Sequence, residues 1–229
     1  MAAEPSAVGR LGPYRIVRLS KILDPATEKR RCVVRRYKGE TLGVVDYRSE
    51  MDLQSHLGTH VEGPYHYRDD LKDIASLGVE RFFARGVLMR LNTCSPRALI
   101  TRADLDAADG GRLREGDVAV LDSPYHHEPF VESPDDLRPQ LSRESAEWFL
   151  EKKVKSVAFG DGAAIENNPE HCVAVHDILM PHDITFIEVM RNLDLLERDV
   201  FLLVFLPLPI QGLDSSPVYV AAVEGVPGF

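Results

Sequence analysis

The chain has 229 residues, 44% hydrophobic and 28% charged, a balance that suits one globular domain, or a domain with an added lobe, and excludes a disordered chain. Its 27 Lys and Arg face 36 Asp and Glu, and the net charge of −9 argues against a nucleic-acid partner, which would need clustered cations. Three cysteines, Cys32, Cys94 and Cys172, cannot all pair and point to a reducing, cytoplasmic setting.

Taken in chain order, residues 1–13 are rich in Ala, Pro, Ser and Gly and lack the apolar segment of a signal peptide, so a flexible lead-in is expected, with one domain over 14–229. Strands are expected at 14–19, 32–37, 86–91, 118–121, 156–159, 185–190 and 200–206. The basic run Lys29-Arg30-Arg31 with Arg35-Arg36-Lys38 reads as a solvated hairpin face. One helix is expected from Asp69, with Leu71, Ile74 and Leu77 at helical spacing. A second follows Thr101, whose spacing to Asp104 forms a capping box, and ends before Gly110-Gly111. A third follows Ser142 and carries Ala146, Phe149 and Leu150 on one face, with Trp148 packed beside them. The apolar run 201–210 holds two prolines and is too short for a membrane span, so no membrane partner is expected. Together these elements predict a mixed α/β domain.

Chemistry concentrates at Ser55-His56-Leu57-Gly58-Thr59-His60-Val61-Glu62-Gly63-Pro64-Tyr65-His66. Imidazole and carboxylate together are the donor set for Zn²⁺ or Mn²⁺. His56, His60, Glu62 and His66 share one parity, and on an extended backbone His60 and Glu62 reach one ion together. On a helix Glu62 would point away from His60, and Gly58, Gly63 and Pro64 oppose a helix in any case. A strand or loop entering a tight turn is the expected form. Further ligands must come from elsewhere, and only residues 170–188 are comparably rich. There Glu188 stands near the end of an apolar strand, where it needs either coordination or an arginine such as Arg191. His176, at the end of Val173-Ala174-Val175, is either a ligand or a satisfied core histidine. Cys172 beside His171 suggests a nucleophile, but neighbours on a strand point apart.

His56-Leu57-Gly58-Thr59-His60-Val61-Glu62-Gly63-Pro64-Tyr65-His66 resembles the motif His-x-Gly-Thr-His-x-Asp-x-Pro-x-His of the cyclase family of metal-dependent hydrolases, which includes bacterial kynurenine formamidase and isatin hydrolase. The one departure at a fixed position is Glu62, which keeps the charge and oxygen donors of Asp but adds a methylene. Other segments resemble the family in order. Arg18-Leu19-Ser20-Lys21 is similar to its opening segment, Gly116-Asp117-Val118 to a strand start, and Gly160-Asp161 to a Gly-x-Asp turn. His176, twelve residues before Glu188, matches the later ligand pair; His171 and His182 lack that step. Where many members show Thr-Gly-Trp near the substrate, this chain has Asp122-Ser123-Pro124-Tyr125-His126-His127.

The resemblance implies a swivelling β/β/α domain, a mixed sheet with flanking helices, and one or two divalent ions, Zn or Mn, on His56, His60, Glu62, His176 and Glu188. It implies hydrolysis of a small amide-like substrate, an aryl formamide or a cyclic amide, through attack of a metal-activated water on the carbonyl. His66 is the expected proton carrier, with support of a ligand as its alternative role. Asp161 either orients a ligand histidine or stabilises its turn, and Tyr125 and His126 either face the substrate or belong to a surface loop. A homodimer or larger homo-oligomer is implied. The alternatives are a metal-dependent cyclase or lyase of secondary metabolism, or an inactive binding protein of the same fold.

Overall fold

The computed structural model describes residues 6–92, 95–128 and 134–229; Cys94 and part of the expected lead-in lie outside them. Among the described residues there are twelve strands and three α-helices. They are β1 (Val8–Leu11), β2 (Tyr14–Arg18), β3 (Cys32–Thr41), β4 (Val44–Leu53), β5 (His60–Glu62), β6 (Phe83–Arg90), α1 (Arg102–Asp109), β7 (Val118–Asp122), α2 (Arg143–Lys152), β8 (Ser156–Gly160), α3 (Pro169–Leu179), β9 (Thr185–Met190), β10 (Val200–Leu206), β11 (Ser215–Pro217) and β12 (Tyr219–Glu224). Ten strands form one mixed sheet in the order β1-β2-β12-β10-β6-β7-β8-β9-β5-β11. The centre, β6 to β9, is parallel, and the flanking pairs are antiparallel. The mixed α/β class therefore holds. No helix among the described residues is long and apolar enough to cross a membrane.

Alternation along the strands makes two cores. Ala119 and Leu121 of β7, Val157 and Phe159 of β8 and Phe186 of β9 face the helices and pack with Leu105, Ala146, Trp148, Phe149, Val175 and Leu179. Val118, Val120, Ala158 and Ile187 face the other way, toward Val17, Phe82, Phe201, Phe205 and Val220. Burying a side chain such as Phe186 or Phe201 contributes roughly 1.5–3 kcal/mol.

Both capped helices form where the sequence predicts them. Thr101 accepts from the Asp104 amide and closes a capping box, and Ser142 does the same with Ser145. Gly110 ends α1 in the left-handed region. Trp148 is buried, and its Nε1 donates to Asp106 at 2.8 Å.

Three expectations are corrected. Val8–Leu11, inside the expected lead-in, is strand, paired with β2 from Val8↔Val17 to Leu11↔Tyr14. No helix starts at Asp69; 3₁₀ turns at Ile74–Ser76 and Val79–Phe82 take its place. The apolar spacing there serves two surfaces, since Leu71 packs on the helix-side core while Ile74 and Leu77 join the opposite one. Residues 173–175 lie within α3, which opens on Asn168 as N-cap and Pro169 in the first turn. The strand expected at 200–206 forms with those bounds, as β10.

The basic hairpin is present. β3 and β4 pair only with each other, from Cys32↔Leu53 to Thr41↔Val44, and stand apart from the main sheet.

Candidate metal centre

β5 carries His60 and Glu62 two residues apart on one side of the sheet, as their parity predicts. It pairs with β9 in a register that sets His60 directly opposite Glu188. All three are buried, and His176 of α3 approaches from the helix layer. Before β5, Gly58 sits at φ +58°, and a Cβ there would meet Leu23 Cδ2 at 2.4 Å. That turn aims the Gly58 carbonyl at His60, whose Nδ1–H donates to it at 2.7 Å. His176 is held in the same way, its Nδ1–H donating to the Cys172 carbonyl at 2.7 Å. Each bond fixes the ring and leaves Nε2 free to bind.

Those free nitrogens converge on Glu62. Its Oε1 lies 2.6 Å from His56 Nδ1 and 3.4 Å from His60 Nε2. Its Oε2 faces His176 Nε2 at 3.8 Å and His66 Nε2 at 3.9 Å. Glu188 Oε2 is 3.6 Å from His60 Nε2. The longer carboxylate at position 62 thus offers one oxygen to each of two histidine pairs. After Glu188, Val189 adopts φ +58°, a conformation costing a β-branched residue about 1–3 kcal/mol. Its carbonyl accepts from Thr59 Oγ1 at 2.7 Å, which ties β9 to the motif turn.

The donors fit a cation. Glu62 Oε2 is buried without a hydrogen-bond partner. Two ligand atoms each about 2.1 Å from a tetrahedral ion stand about 3.4 Å apart, close to the spacings of His60 and Glu188 here. The protein groups alone are electrostatically strained. Burial, with the Glu62 charge beside it, pushes the Glu188 carboxyl well above its usual range. Burial also opposes ionisation of Glu62, but the histidines around it hold it well below its usual value. For His176 burial opposes the charge, yet its bonds to Cys172 and Glu62 raise it to about 10.

The sequence missed Asp214, which precedes β11. It accepts from His56 Nε2 at 2.7 Å and lies 3.4 Å from His66 Nδ1. No local motif marks it; pairing of Ser215 with Glu62 across β11 and β5 brings it there. The half-exposed His66, on the 3₁₀ turn Pro64–His66, stands at the mouth of a cavity of about 320 Å³ that also involves Arg30, Glu166 and Cys172. The helical setting of α3 places Cys172 one turn before His176, with Sγ 3.8 Å from Nδ1, and not beside His171 in function.

Other candidates lie elsewhere. Arg191 does not pair with Glu188; it joins Glu128 and Asp161. His171 accepts from the Arg143 amide, and His182 is bonded to the Ile178 carbonyl. Asp161 contacts no ligand histidine, and Tyr125, His126 and Asp161 do not line the cavity. His126 and Asp161 instead meet Asp122 at the ends of β7 and β8.

Comparison with known proteins gives the family and the fold. A family model named Cyclase, described as "Putative cyclase", matches residues 17–166. The chain is 25% identical over 166 residues to the kynurenine formamidase of Erythrobacter litoralis, covering 72% of each protein. It is 26% identical over 170 residues to that of Bordetella petrii, covering 74% of this chain and 77% of that one. In fold it is similar to isatin hydrolase A from Labrenzia aggregata, with a TM-score of 0.74, 19% identity and coverage of 93% and 94%. Isatin hydrolase A from Ralstonia solanacearum gives 0.72 and 19%, with coverage of 93% and 92%. With well over half its length matched by the family model, and the motif histidines and carboxylates gathered on β5, β9 and α3, the chain belongs to the cyclase family of metal-dependent hydrolases.

Proposed function

We propose that this chain is a metal-dependent hydrolase acting on a non-peptide C–N bond of a small amide-like substrate, an aryl formamide or a cyclic amide. The carrying observation is the convergence of His56, His60 and His176 on the buried Glu62 carboxylate, whose Oε2 has no hydrogen-bond partner, with Glu188 facing His60. The cavity is at the small end for ligand sites, which suits a one- or two-ring compound. The relatives named as kynurenine formamidases and isatin hydrolases support the same substrate class.

Mixed imidazole and carboxylate donors suit Zn²⁺ or Mn²⁺. The two faces of Glu62 favour two ions, one on Oε1 with His56 and His60 and the other on Oε2 with His176, which leaves His66 for proton transfer. An ion held there would supply Lewis acidity, polarising a substrate carbonyl and lowering the pKa of water toward about 7. The protein supplies the rest. His60 and His176 keep their Nε2 atoms aimed inward, and Glu188 adds charge from the opposite strand. His66, half-exposed at the mouth and backed by Asp214, is placed to hand a proton to the leaving nitrogen.

The assembly proposed is a homodimer or larger homo-oligomer built through the β3–β4 hairpin. A two-stranded hairpin alone is marginal in water. This one exposes Leu42, Val44, Val45, Tyr47 and Met51 and carries seven basic against four acidic side chains over residues 29–53. An acidic second copy complements it. Light scattering should report a dimer or larger for the native chain and a monomer for Val45→Asp/Tyr47→Asp; an unchanged mass in the variant would remove the hairpin from the interface. The free thiols of Cys32 and Cys172 are consistent with work in the cytoplasm.

Elemental analysis of the purified protein beside His60→Ala tests the function. Stoichiometric Zn or Mn, of which the variant loses at least one ion per chain, with turnover of formamides or cyclic amides, is expected. No metal, and no turnover after Zn²⁺ or Mn²⁺ is added, would refute the hydrolase.

A further inference from the structure

A second cluster of metal-ligating groups lies two and three strands away from β5, at the carboxyl ends of β7 and β8. Asp122 closes β7, Asp161 follows β8, and His126 sits in the loop after β7. One donor atom from each lies within 4.8 Å of the other two. His126 Nδ1 is 3.4 Å from Asp161 Oδ1, and its Nε2 is 3.7 Å from Asp122 Oδ1.

Three observations argue that this is more than a surface ion pair. First, Asp122 is only 7% exposed, yet its Oδ1 is buried with no hydrogen-bond partner, and the same holds for Asp161 Oδ1. An imidazolium that neutralised either carboxylate would approach to about 2.7–2.9 Å. Second, the observed spacings match the roughly 3.4 Å expected between ligand atoms about 2.1 Å from a tetrahedral ion. Third, the backbone leaves the approach clear: a Cβ at Gly162 would fall 2.5 Å from Asp122 Oδ1. The other oxygen of Asp161 is occupied, by Arg191 Nη1 at 3.3 Å, and that guanidinium is shared with Glu128. Oδ1 is the atom left over.

We propose that Asp122, His126 and Asp161 form a second divalent-cation site, of Zn²⁺ or Mn²⁺ character, which shares no ligand with the cluster around Glu62. Two carboxylates and one imidazole are borderline donors suited to those ions. Three protein ligands leave a fourth position to water, and the 43% exposure of the His126 side chain gives the ion an entry path. An ion there ties residues 123–128 to the turn after β8. That segment already rests on Ser123 Oγ–H donating to the Gly162 carbonyl at 2.6 Å and on the His127 amide donating to the Asp161 carbonyl at 2.9 Å. The proposal stands whether or not the chain proves to be a hydrolase.

The experiment counts Zn²⁺ bound per chain. The full-length protein, stripped with chelator, is dialysed against Zn²⁺ and compared with His126→Gln, Asp122→Asn and His60→Ala. His126→Gln and Asp122→Asn should each bind one ion fewer than the native chain, and His60→Ala should keep the ion they lose. Stoichiometry unchanged by His126→Gln and Asp122→Asn would overturn the proposal, even if His60→Ala then abolished all binding. His126 is exposed, so its substitution leaves the core intact. As a second readout, Zn²⁺ should raise the unfolding temperature of His60→Ala by more than that of His60→Ala/His126→Gln, by the linkage of binding to folding. An equal rise in both would also overturn it.

Discussion

The two clusters differ less in their donors than in how the backbone holds them. Around Glu62, His60 and His176 are each locked by an Nδ1–H bond to a main-chain carbonyl, and the carboxylates come from paired strands. Around Asp122, the carboxylates are fixed at strand ends but His126 has no such lock and stands half in solvent. A donor set whose rings are already oriented loses little entropy on binding. The first cluster should therefore bind tightly and support chemistry, and the second should bind more weakly.

The largest effect should come from Glu62, the residue every motif histidine faces. Replacing a partner that only orients a ligand costs roughly 10–100-fold in affinity or activity. Glu62→Gln removes the charge on which four histidines converge, so turnover should fall by more than about 100-fold and metal content should drop with it. A variant that keeps both would show that Glu62 is not a ligand, and would leave His60 and Glu188 to carry the site.

Metal removal should introduce a pH dependence of stability. His176 is raised to about 10, against 6.5 for an ordinary histidine, and His56 is also raised, because Glu62 and Asp214 outweigh burial. The folded chain then binds more protons than the unfolded one between those limits. Its stabilisation is full below about pH 6.5 and is lost as pH rises through about 10. With Zn²⁺ bound these rings are neutral, as they are in the unfolded chain above about pH 6.5, so stability should be nearly flat over the same window. Thermal melts should fall with pH in chelator and stay level with Zn²⁺. Parallel slopes would mean that the ion does not bind through these histidines.

Asp214 ranks next. It touches His56 and His66 but stands outside the inner set, so Asp214→Asn should lower kcat/KM by roughly 10–100-fold with metal content largely kept. Loss of the metal instead would make Asp214 a ligand, a role its contact with His56 permits.

Much of this was legible in the sequence because it depends on neighbours along the chain. Parity put His60 and Glu62 on one face, and caps at Thr101 and Ser142 marked two helices. What depends on distant pairing was not. Asp214 enters only through β11 pairing with β5. The Asn168-Pro169 start of α3 was a readable signal, but the apolar, β-branched run 173–175 pointed to a strand, and tertiary packing settled the conflict. The Asp69 segment failed for a third reason. Its apolar residues are spaced as on one helix face, yet they divide between the two sides of the sheet.

The smallest expected effect concerns Cys172, and it sharpens what holds the first cluster together. The thiol lies 3.8 Å from His176 Nδ1, but the ring is pinned at 2.7 Å by the Cys172 carbonyl. A backbone acceptor survives substitution, and a thiol is a weak partner. Cys172→Ser should therefore change kcat/KM by no more than about threefold, within the few tenths of a kcal/mol that a weak sulfur contact contributes. Cys172→Pro would test the other half, since proline at this position of α3 removes an amide donor and disturbs the turn that carries the carbonyl. If serine alone abolished metal binding, the thiolate would itself be a ligand. The orientation of His176 would then rest on a side chain, and the contrast between a backbone-locked cluster and a loose one would weaken at its strongest point.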